Sequence, residues 1–483
     1  MASSLKQKAT SGFIWTAVDK FASRFVKLGI GIILARLLLP EDFGLIGMLA
    51  VFIGISQSFV NSGMGSGLIQ KQDRTDADFS TVFVFNLVVS TLFYVLLFFT
   101  APFIADFYDE PRLVNITRVL SLNIIINALA IVQRSRLEID IDFKSLTKVN
   151  ITGTIVSGTI AILAANYGYG VWALVIQQIV NAFVTVTVLW SLNKWKPSIL
   201  FSKESFRALF GFGSKLMLAS IYAQAFQNIY NITIGKYYNA GDLGFYNRAK
   251  SLSDIPSDTV SNILLQVTYP ILSSLQNDKV RMVSVYKRMI KMSAFLIIPT
   301  MILIALLAEP LIRVLLTDKW LPSVILLQWI AIARITYPIS VINMGVLNAM
   351  GRSDLFLKVD LSKAPVILIS LFITIPISVE AMVIGFFINS YIAFFINAYL
   401  PGKLLGYGGM QQLRDMLPYL VPTIGMIAVV MGVSYLLENN YAQLILGGLL
   451  GLGSYLLLSH LLKINELKEI KAVIVEQKNH KKS

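Results

Sequence analysis

The chain contains no cysteine and only two histidines, His460 and His480. The first absence excludes disulfides, thiol nucleophiles and thiolate metal sites. The two imidazoles lie at or beyond the end of the last apolar run, so neither histidine catalysis nor a metal centre is expected, and no cofactor is implied. Charge is scarce as well: 14% of the 483 residues are Asp, Glu, Lys or Arg, against 55% hydrophobic residues. With a mean hydropathy of +0.69, such a chain is a polytopic membrane protein rather than a soluble one. Long loops are missing too. No interval between apolar runs exceeds roughly 20 residues, which leaves little room for the catalytic domain of an external polymerase or glycosyltransferase. The start does not read as a cleavable signal peptide, because Asp19, Lys20 and Arg24 interrupt the place of an uncharged core, and the N-terminus is expected to be retained.

What is present is a long series of apolar runs. Fourteen are long enough to span a bilayer, near 12–38, 43–68, 80–104, 112–132, 147–166, 170–192, 208–237, 244–272, 285–308, 321–349, 359–378, 380–401, 416–436 and 442–461. The fold class is therefore all-α. The segments between runs alternate between basic and nearly Lys/Arg-free, and the positive-inside rule makes the basic set cytoplasmic, with both termini on that side. Most of the +14 net charge is thus topological, and no nucleic-acid partner is expected. The predicted organisation is an N-terminal lobe over 1–193, an interfacial linker helix over 194–207, a C-terminal lobe over 208–403, a helix pair over 404–462 and a basic cytoplasmic tail over 463–483.

The first run carries a contradiction. It is apolar enough to cross a membrane, yet it holds Asp19, Lys20, Arg24, Lys27 and Arg36. A cation at the bilayer centre costs roughly 2.5–3.5 kcal/mol on insertion scales, so these groups need water or an anion. At helical spacing Lys20, Ser23, Arg24, Lys27 and Gly31 share one face, which predicts a wet, positively charged cavity.

The chain also repeats. ILARLLLPEDFGLIGMLA around Arg36 returns two hundred residues later as TIGKYYNAGDLGFYNRA, pairing Arg36 with Lys236, Asp42 with Asp242 and Gly44 with Gly244. The same offset lays the cationic face of the first run over Ser220, Gln224, Gln227, Asn228 and Asn231 in the seventh. One copy offers cations and the other amides. Six spans in each copy give a parallel duplication of the kind that builds alternating-access carriers.

The segments ARLLLPEDFGLIGML, SGMGSGLIQKQD, LLTDKWLPSVILLQ and NAMGRSDL resemble the polysaccharide transporter family, the Wzx-type lipid-linked oligosaccharide flippases of the MATE-like (MOP) superfamily. The likeness covers nearly the whole chain and is most similar to the branch exporting colanic and teichuronic acid polymers. The resemblance implies fourteen transmembrane helices, in two six-helix lobes forming a V plus a C-terminal pair. It implies as substrate an undecaprenyl-diphosphate-linked glycan moved across a bacterial inner membrane, with membrane lipids and a polysaccharide polymerase machinery as candidate partners.

Physical chemistry fits that substrate, since a diphosphate calls for guanidinium and ammonium groups in a low-dielectric site. Arg24 and Lys27 are the leading candidates, with Lys20, Lys215, Arg248 and Arg334 as further intramembrane cations. Gln224, Asn228 and Asn231 are candidate partners of sugar hydroxyls. Lys20 and Lys215 lie near cytoplasmic ends, where snorkelling competes with binding. Asp19 and Asp254 are the candidate acids for ion coupling, against plain salt-bridge or capping roles. Gly63, Gly65 and Gly67 read as a packing face, because no strand precedes them and no GK[ST] follows. The last two runs are free of Asp, Glu, Lys and Arg over 417–436 and 443–459 and are candidates to cover a polyprenyl tail. The expected function is transport of a lipid-linked glycan without covalent chemistry. A small-molecule antiporter of the same superfamily is the alternative, and it should line its cavity with acids instead.

Overall fold

The computed structural model describes residues 2–61, 63–198 and 200–470, with side chains described for all of these except 2–14, 16–18, 20, 21, 212, 267 and 353. The expected tail therefore lies outside the described residues from position 471 onward. No β-strand occurs among the described residues, as lipid demands of a chain that must satisfy its backbone within each segment. Packing divides the chain into two compact units, Met1–Gly244 and Phe245–Ser483.

The first unit contains α1 (Ala2–Leu37), α2 (Pro40–Asn61), α3 (Met64–Gln70), α4 (Asp76–Tyr108), α5 (Leu113–Leu120), α6 (Leu122–Ile139), α7 (Phe143–Asn166), α8 (Val171–Leu192), α9 (Lys203–Gln227) and α10 (Ile229–Tyr237). Helix α11 (Ala240–Ser274) starts in this unit and runs into the second. The second continues with α12 (Lys279–Leu306), α13 (Ala308–Leu315), α14 (Ser323–Arg334), α15 (Thr336–Ala349), α16 (Ser353–Ser362), α17 (Ala364–Thr374), α18 (Val379–Leu405), α19 (Gly409–Met416), α20 (Leu420–Leu436) and α21 (Asn440–Leu461). Ten helices or helix pairs among the described residues are long and apolar enough to cross a membrane. The other four expected spans fall on α1, on α9 with α10, on α11 and on α16 with α17. These are interrupted, or they carry the polar residues from which the candidate site was drawn.

In the first unit, Ile30, Leu34 and Leu38 pack against Ala161, Ala164 and Ala165 of α7 and Ala173 and Leu174 of α8. A second cluster joins Met64, Leu68, Phe79, Val82, Phe83 and Val132 to Leu209 of α9. The close fit of α9 against α2 and α3 explains why packing keeps it with the first unit, although the repeat boundary expected from sequence lies earlier, at 194–207. That linker is not the predicted helix over most of its length. Residues 194–198, 200 and 201 run without helix, because Pro197 lacks an N–H and biases its predecessor towards extended backbone. The segment is instead a strap. Trp195 packs at an angle against Phe79 and edge-on against Phe83, the Ser198 amide donates to Ser80 Oγ at 3.3 Å, and the Ser202 amide donates to Thr81 Oγ1 at 3.0 Å.

The core of the second unit gathers Tyr286, Ile290, Phe295 and Met301 of α12 with Ile339 and Ile342 of α15, Met426 and Val430 of α20, and Tyr455 of α21. Inside it Gln412 donates to Tyr286 Oη at 2.9 Å and to Asn343 Oδ1 at 3.0 Å, and Tyr286 donates to Asn343. A buried polar cluster satisfied in this way fixes one arrangement of the helices that carry it. Helices α20 and α21 close-pack: a Cβ on Gly425 would collide with the Leu458 side chain, and one on Gly451 would lie 2.6 Å from Val430.

The two-hundred-residue register reappears in the helix ends. Helix α1 ends at Leu37 and α2 begins at Pro40, while α10 ends at Tyr237 and α11 begins at Ala240. Asp42 and Asp242 both serve the turn before their helix: Asp42 Oδ2 accepts from the Leu39 amide at 2.9 Å, and Asp242 Oδ2 accepts from Asn239 Nδ2 at 2.7 Å. The two turns also meet reciprocally. A Cβ on Gly44 would run into the Ala240 carbonyl, and one on Gly244 would run into the Pro40 carbonyl. Since the obstacle is backbone in both cases, Gly44→Ala and Gly244→Ala should each destabilise by about 1–3 kcal/mol. The double variant should lose less than the sum, because the first methyl already separates the turns. Thermal unfolding in detergent checks this against Gly29→Ala and Gly448→Ala, whose Cβ positions meet nothing within 4 Å and which should be neutral or stabilising.

Candidate substrate cavity

Within the first unit, α2, α3, α6 and α9 line an open cavity of about 700 Å³, a size typical of ligand sites. Its wall carries Gln57, Ser58 and Asn61 from α2, Ser66 from α3, Arg134, Ser135 and Glu138 from α6, and Ser220 and Gln224 from α9. Small residues make the room. A Cβ on Gly54 would stand 2.7 Å from Gln224 Oε1, so glycine there lets the glutamine reach across. Gly63 takes a positive φ of 65° to start α3, and a Cβ there would lie 2.6 Å from the Gly213 carbonyl oxygen. Gly65 and Gly67 abut Ser135 and Leu209. The three glycines are a packing face, as expected.

Gln224 is the candidate sugar partner that lines the cavity, and the other two amides stand behind it. Asn228 Nδ2 donates to the Gln224 carbonyl at 2.9 Å and to its Oε1 at 3.3 Å. Asn231 Nδ2 donates to Asn228 Oδ1 at 3.5 Å. The ladder sits where α9 gives way to α10, with Asn228 between the two helices. Lys215 is exposed on α9, one residue before the wall residue Leu216.

Arg134, Glu138, Gln57 and Asn61 were not foreseen. Arg134 follows the apolar run 112–132, where the positive-inside rule alone makes it part of a basic cytoplasmic segment, although the i, i+4 pairs Gln57/Asn61 and Arg134/Glu138 within apolar surroundings are the available signal. Gln57 Nε2 is buried without a hydrogen-bond partner in the protein, and an unpaired buried donor is costly unless a ligand or water meets it. Arg134 donates to Asn150 Oδ1 at 3.0 Å, Asn150 Nδ2 donates to Asp19 Oδ2 at 3.0 Å, and Ser23 Oγ donates to Asp19 Oδ1 at 2.9 Å. A polar relay thus joins the cavity wall to the first helix.

That relay fixes the rotation of α1. Asp19, Ser23, Ile30 and Leu34 face α7; Arg24 lies roughly 110° round the helix from the middle of that stripe, and Lys27 about 50°, at the stripe's edge. Arg24 is half-buried and Lys27 exposed; neither belongs to the described cavity wall. Lys20 lies outside the residues whose side chains are described.

The second unit holds the remaining candidates. Asp254 of α11 is paired with Lys250 at 2.7 Å and with Arg334 of α14 at 2.5 Å. The Arg334 guanidinium also lies 5.1 Å from the Tyr337 ring centre and 5.5 Å from that of Phe386, and the Arg248 guanidinium lies 5.4 Å from that of Trp320. Asp254 is therefore held between two cations. No group of three or more His, Asp or Glu side chains among the described residues could hold a metal ion.

A family profile described as polysaccharide biosynthesis protein matches residues 33–325. The teichuronic acid biosynthesis protein TuaB of Bacillus subtilis (strain 168) is 25% identical over 354 residues, 73% of each chain. The lipopolysaccharide biosynthesis protein WzxC of Escherichia coli (strain K12) is 21% identical over 438 residues, 89% of this chain and 83% of that one. Among solved structures, lipid II flippase MurJ in an inward closed conformation matches with a TM-score of 0.78 at 16% identity, over 93% of this chain and 98% of that one; the likeness is one of fold. With three fifths of its length under that profile, and the same helical membrane architecture, the chain belongs to the polysaccharide biosynthesis protein family.

Proposed function

We propose that the protein is a flippase that carries an undecaprenyl-diphosphate-linked oligosaccharide repeat unit from the cytoplasmic to the periplasmic leaflet of a bacterial inner membrane, by alternating access, for surface polysaccharide biosynthesis. The observation that carries this reading is the polar cavity between otherwise apolar helices, lined by Gln57, Asn61, Arg134, Ser220 and Gln224. Amides and hydroxyls of this kind suit sugar hydroxyls, and the arginine suits a phosphate. Family membership, the names borne by TuaB and WzxC, and the fold shared with MurJ support the same reading.

In this account α1, α9 with α10, α11 and α16 with α17 also cross the bilayer. They complete fourteen spans in two six-helix lobes, 1–193 and 208–403, with both termini cytoplasmic. Arg24 and Lys27 hold the diphosphate, Arg134 assists from the cavity wall, and Gln224 contacts the first sugars with Asn228 and Asn231 behind it. The protein supplies no covalent chemistry. Its work is to bind the head group on one side and release it on the other, so the binding site is all it requires.

Cells depleted of the protein test this. The lipid-linked repeat unit should accumulate on the cytoplasmic leaflet, out of reach of an impermeant sugar-binding lectin in spheroplasts, while its synthesis continues. Undiminished lectin labelling of the lipid-linked unit after depletion would remove the flippase reading, and loss of organic-cation efflux in its place would favour an antiporter.

A further inference from the structure

One acid on the cavity wall has no structural partner. Glu138 lines the cavity from the last turn of α6, where the helix dipole disfavours a negative charge. Arg136, in the same turn, suits that helix end and turns to other groups, with its guanidinium 5.2 Å from the Phe79 ring centre and 5.9 Å from that of Trp195. A nearby acid shows what a structural role looks like: Asp142 caps α7, accepting from the Ser145 amide at 3.0 Å and from Ser145 Oγ at 2.6 Å. Glu138 is partly buried, yet among the described residues its carboxylate accepts no hydrogen bond and makes no ion pair. Arg134, one turn away, is near enough for its charge to act on Glu138, but its guanidinium donates to Asn150 Oδ1 instead, and Asn150 is held by Asp19. A carboxylate kept partly buried and unpaired at a helix C-terminus costs stability, so its place on the wall calls for a ligand that brings donors.

We infer that Glu138 selects the sugar next to the diphosphate, accepting hydrogen bonds from its hydroxyl or N-acetyl amide groups and turning away an acidic sugar; the inference rests on the flippase reading above and deepens it. Three observations select that occupant. An ionised carboxylate only accepts, and its two oxygens take two donors side by side, which is what neighbouring hydroxyls of a sugar ring present. From α2 the same wall presents the opposite need, because Gln57 Nε2 is a buried donor without a partner in the protein; sugar hydroxyls donate and accept, and so meet both. The spacing sets the sugar beside the phosphate, since Arg134 and Glu138 stand about 6 Å apart along α6, and a phosphate at Arg134 brings the sugar bonded to it towards Glu138. A uronate in that place would meet Glu138 as a like charge. A cation would find one carboxylate beside an arginine, because the described wall holds no second acid.

Purified full-length protein in vesicles tests this with two substrates, polyprenyl-diphosphate glucose and polyprenyl-diphosphate glucuronate, and with Glu138→Gln, which keeps the shape and removes the charge. Wild-type protein should move the glucosyl lipid about tenfold faster than the glucuronyl lipid, a modest part of what juxtaposed like charges cost. Glu138→Gln should bring the two rates within about twofold of each other, and it should unfold at no lower temperature than wild type, since the charge it removes opposes the helix dipole. Equal rates in the wild type, or a ratio that Glu138→Gln leaves unchanged, overturns the assignment. A variant that unfolds markedly earlier overturns it too, by showing that the carboxylate holds the fold together. So does a variant that slows both lipids alike and no longer responds to a Na+ or proton gradient, which would make Glu138 a coupling-ion site. Wild-type vesicles that move neither lipid, while the protein in detergent binds the glucosyl lipid with the same Glu138-dependent preference, would sink the flippase reading instead and leave sugar recognition standing.

Discussion

Asp254→Ala should cost about 3–5 kcal/mol of stability, because it strands two cations that the native structure pairs with one carboxylate. Asp254 bridges Lys250 at 2.7 Å and Arg334 at 2.5 Å, and the side chains of Asp254 and Arg334 retain only 19% and 14% of their exposure. Arg334 has little room to find another partner, since its guanidinium lies over Tyr337 and Phe386. Arg334→Ala should be costly for the converse reason but less so, since Lys250 still neutralises the acid. The double variant should fall well short of the summed losses, as coupled charges do. Thermal unfolding of the three variants in detergent reads this directly. Additive losses would mean that the cluster is screened and carries little energy.

The second large effect is on transport. Arg24→Ala with Lys27→Ala should abolish flipping at normal membrane levels, since truncating one buried charge-assisted contact costs roughly 2–5 kcal/mol, or about 30-fold to several thousand-fold in affinity. Arg24→Lys should keep part of the activity, because charge survives while the planar fork that grips two oxygens is lost. The structure makes the comparison clean. Arg24 lies away from the α7-facing stripe of Asp19, Ser23, Ile30 and Leu34, which anchors the helix through Asn150 and the core, and Lys27, at the edge of that stripe, is exposed, so removing them leaves that anchor intact. Flipping near wild-type levels would mean that the stripe hydrates or orients α1 and that Arg134 alone meets the phosphates.

Much of this architecture was legible because lipid imposes simple rules. Apolar runs marked the helices, and the repeat of ARLLLPEDFG as GKYYNAGDLG foretold two turns whose helix ends fall two hundred residues apart, at Leu37 and Tyr237. The amide face of Gln224, Asn228 and Asn231 was also readable, because three amides at helical spacing in an apolar run have no reason to meet lipid. Arg134 was not. A cation at the end of a span looks the same whether it fixes topology or lines a cavity, and only the position of α9 against α2 and α6 separates the two. The partner of Asp254 was hidden because Arg334 lies eighty residues away on another helix. The linker went astray on Pro197, whose effect on local backbone outweighed the amphipathic composition around it. The neutral composition of α20 and α21 suits contact with a lipid tail and tight helix packing equally, so composition alone does not separate the two.

The most direct test of the central claim is translocation by the purified protein. Vesicles would hold the wild-type chain and a polyprenyl-diphosphate oligosaccharide with a fluorescent sugar, and an impermeant reductant would then be added outside. The account predicts that the bleached fraction rises from the outer-leaflet share alone to nearly the whole pool, and that Arg24→Ala with Lys27→Ala returns it to the protein-free level. A bleached fraction equal to that of protein-free vesicles, with wild-type protein folded and inserted, would contradict it.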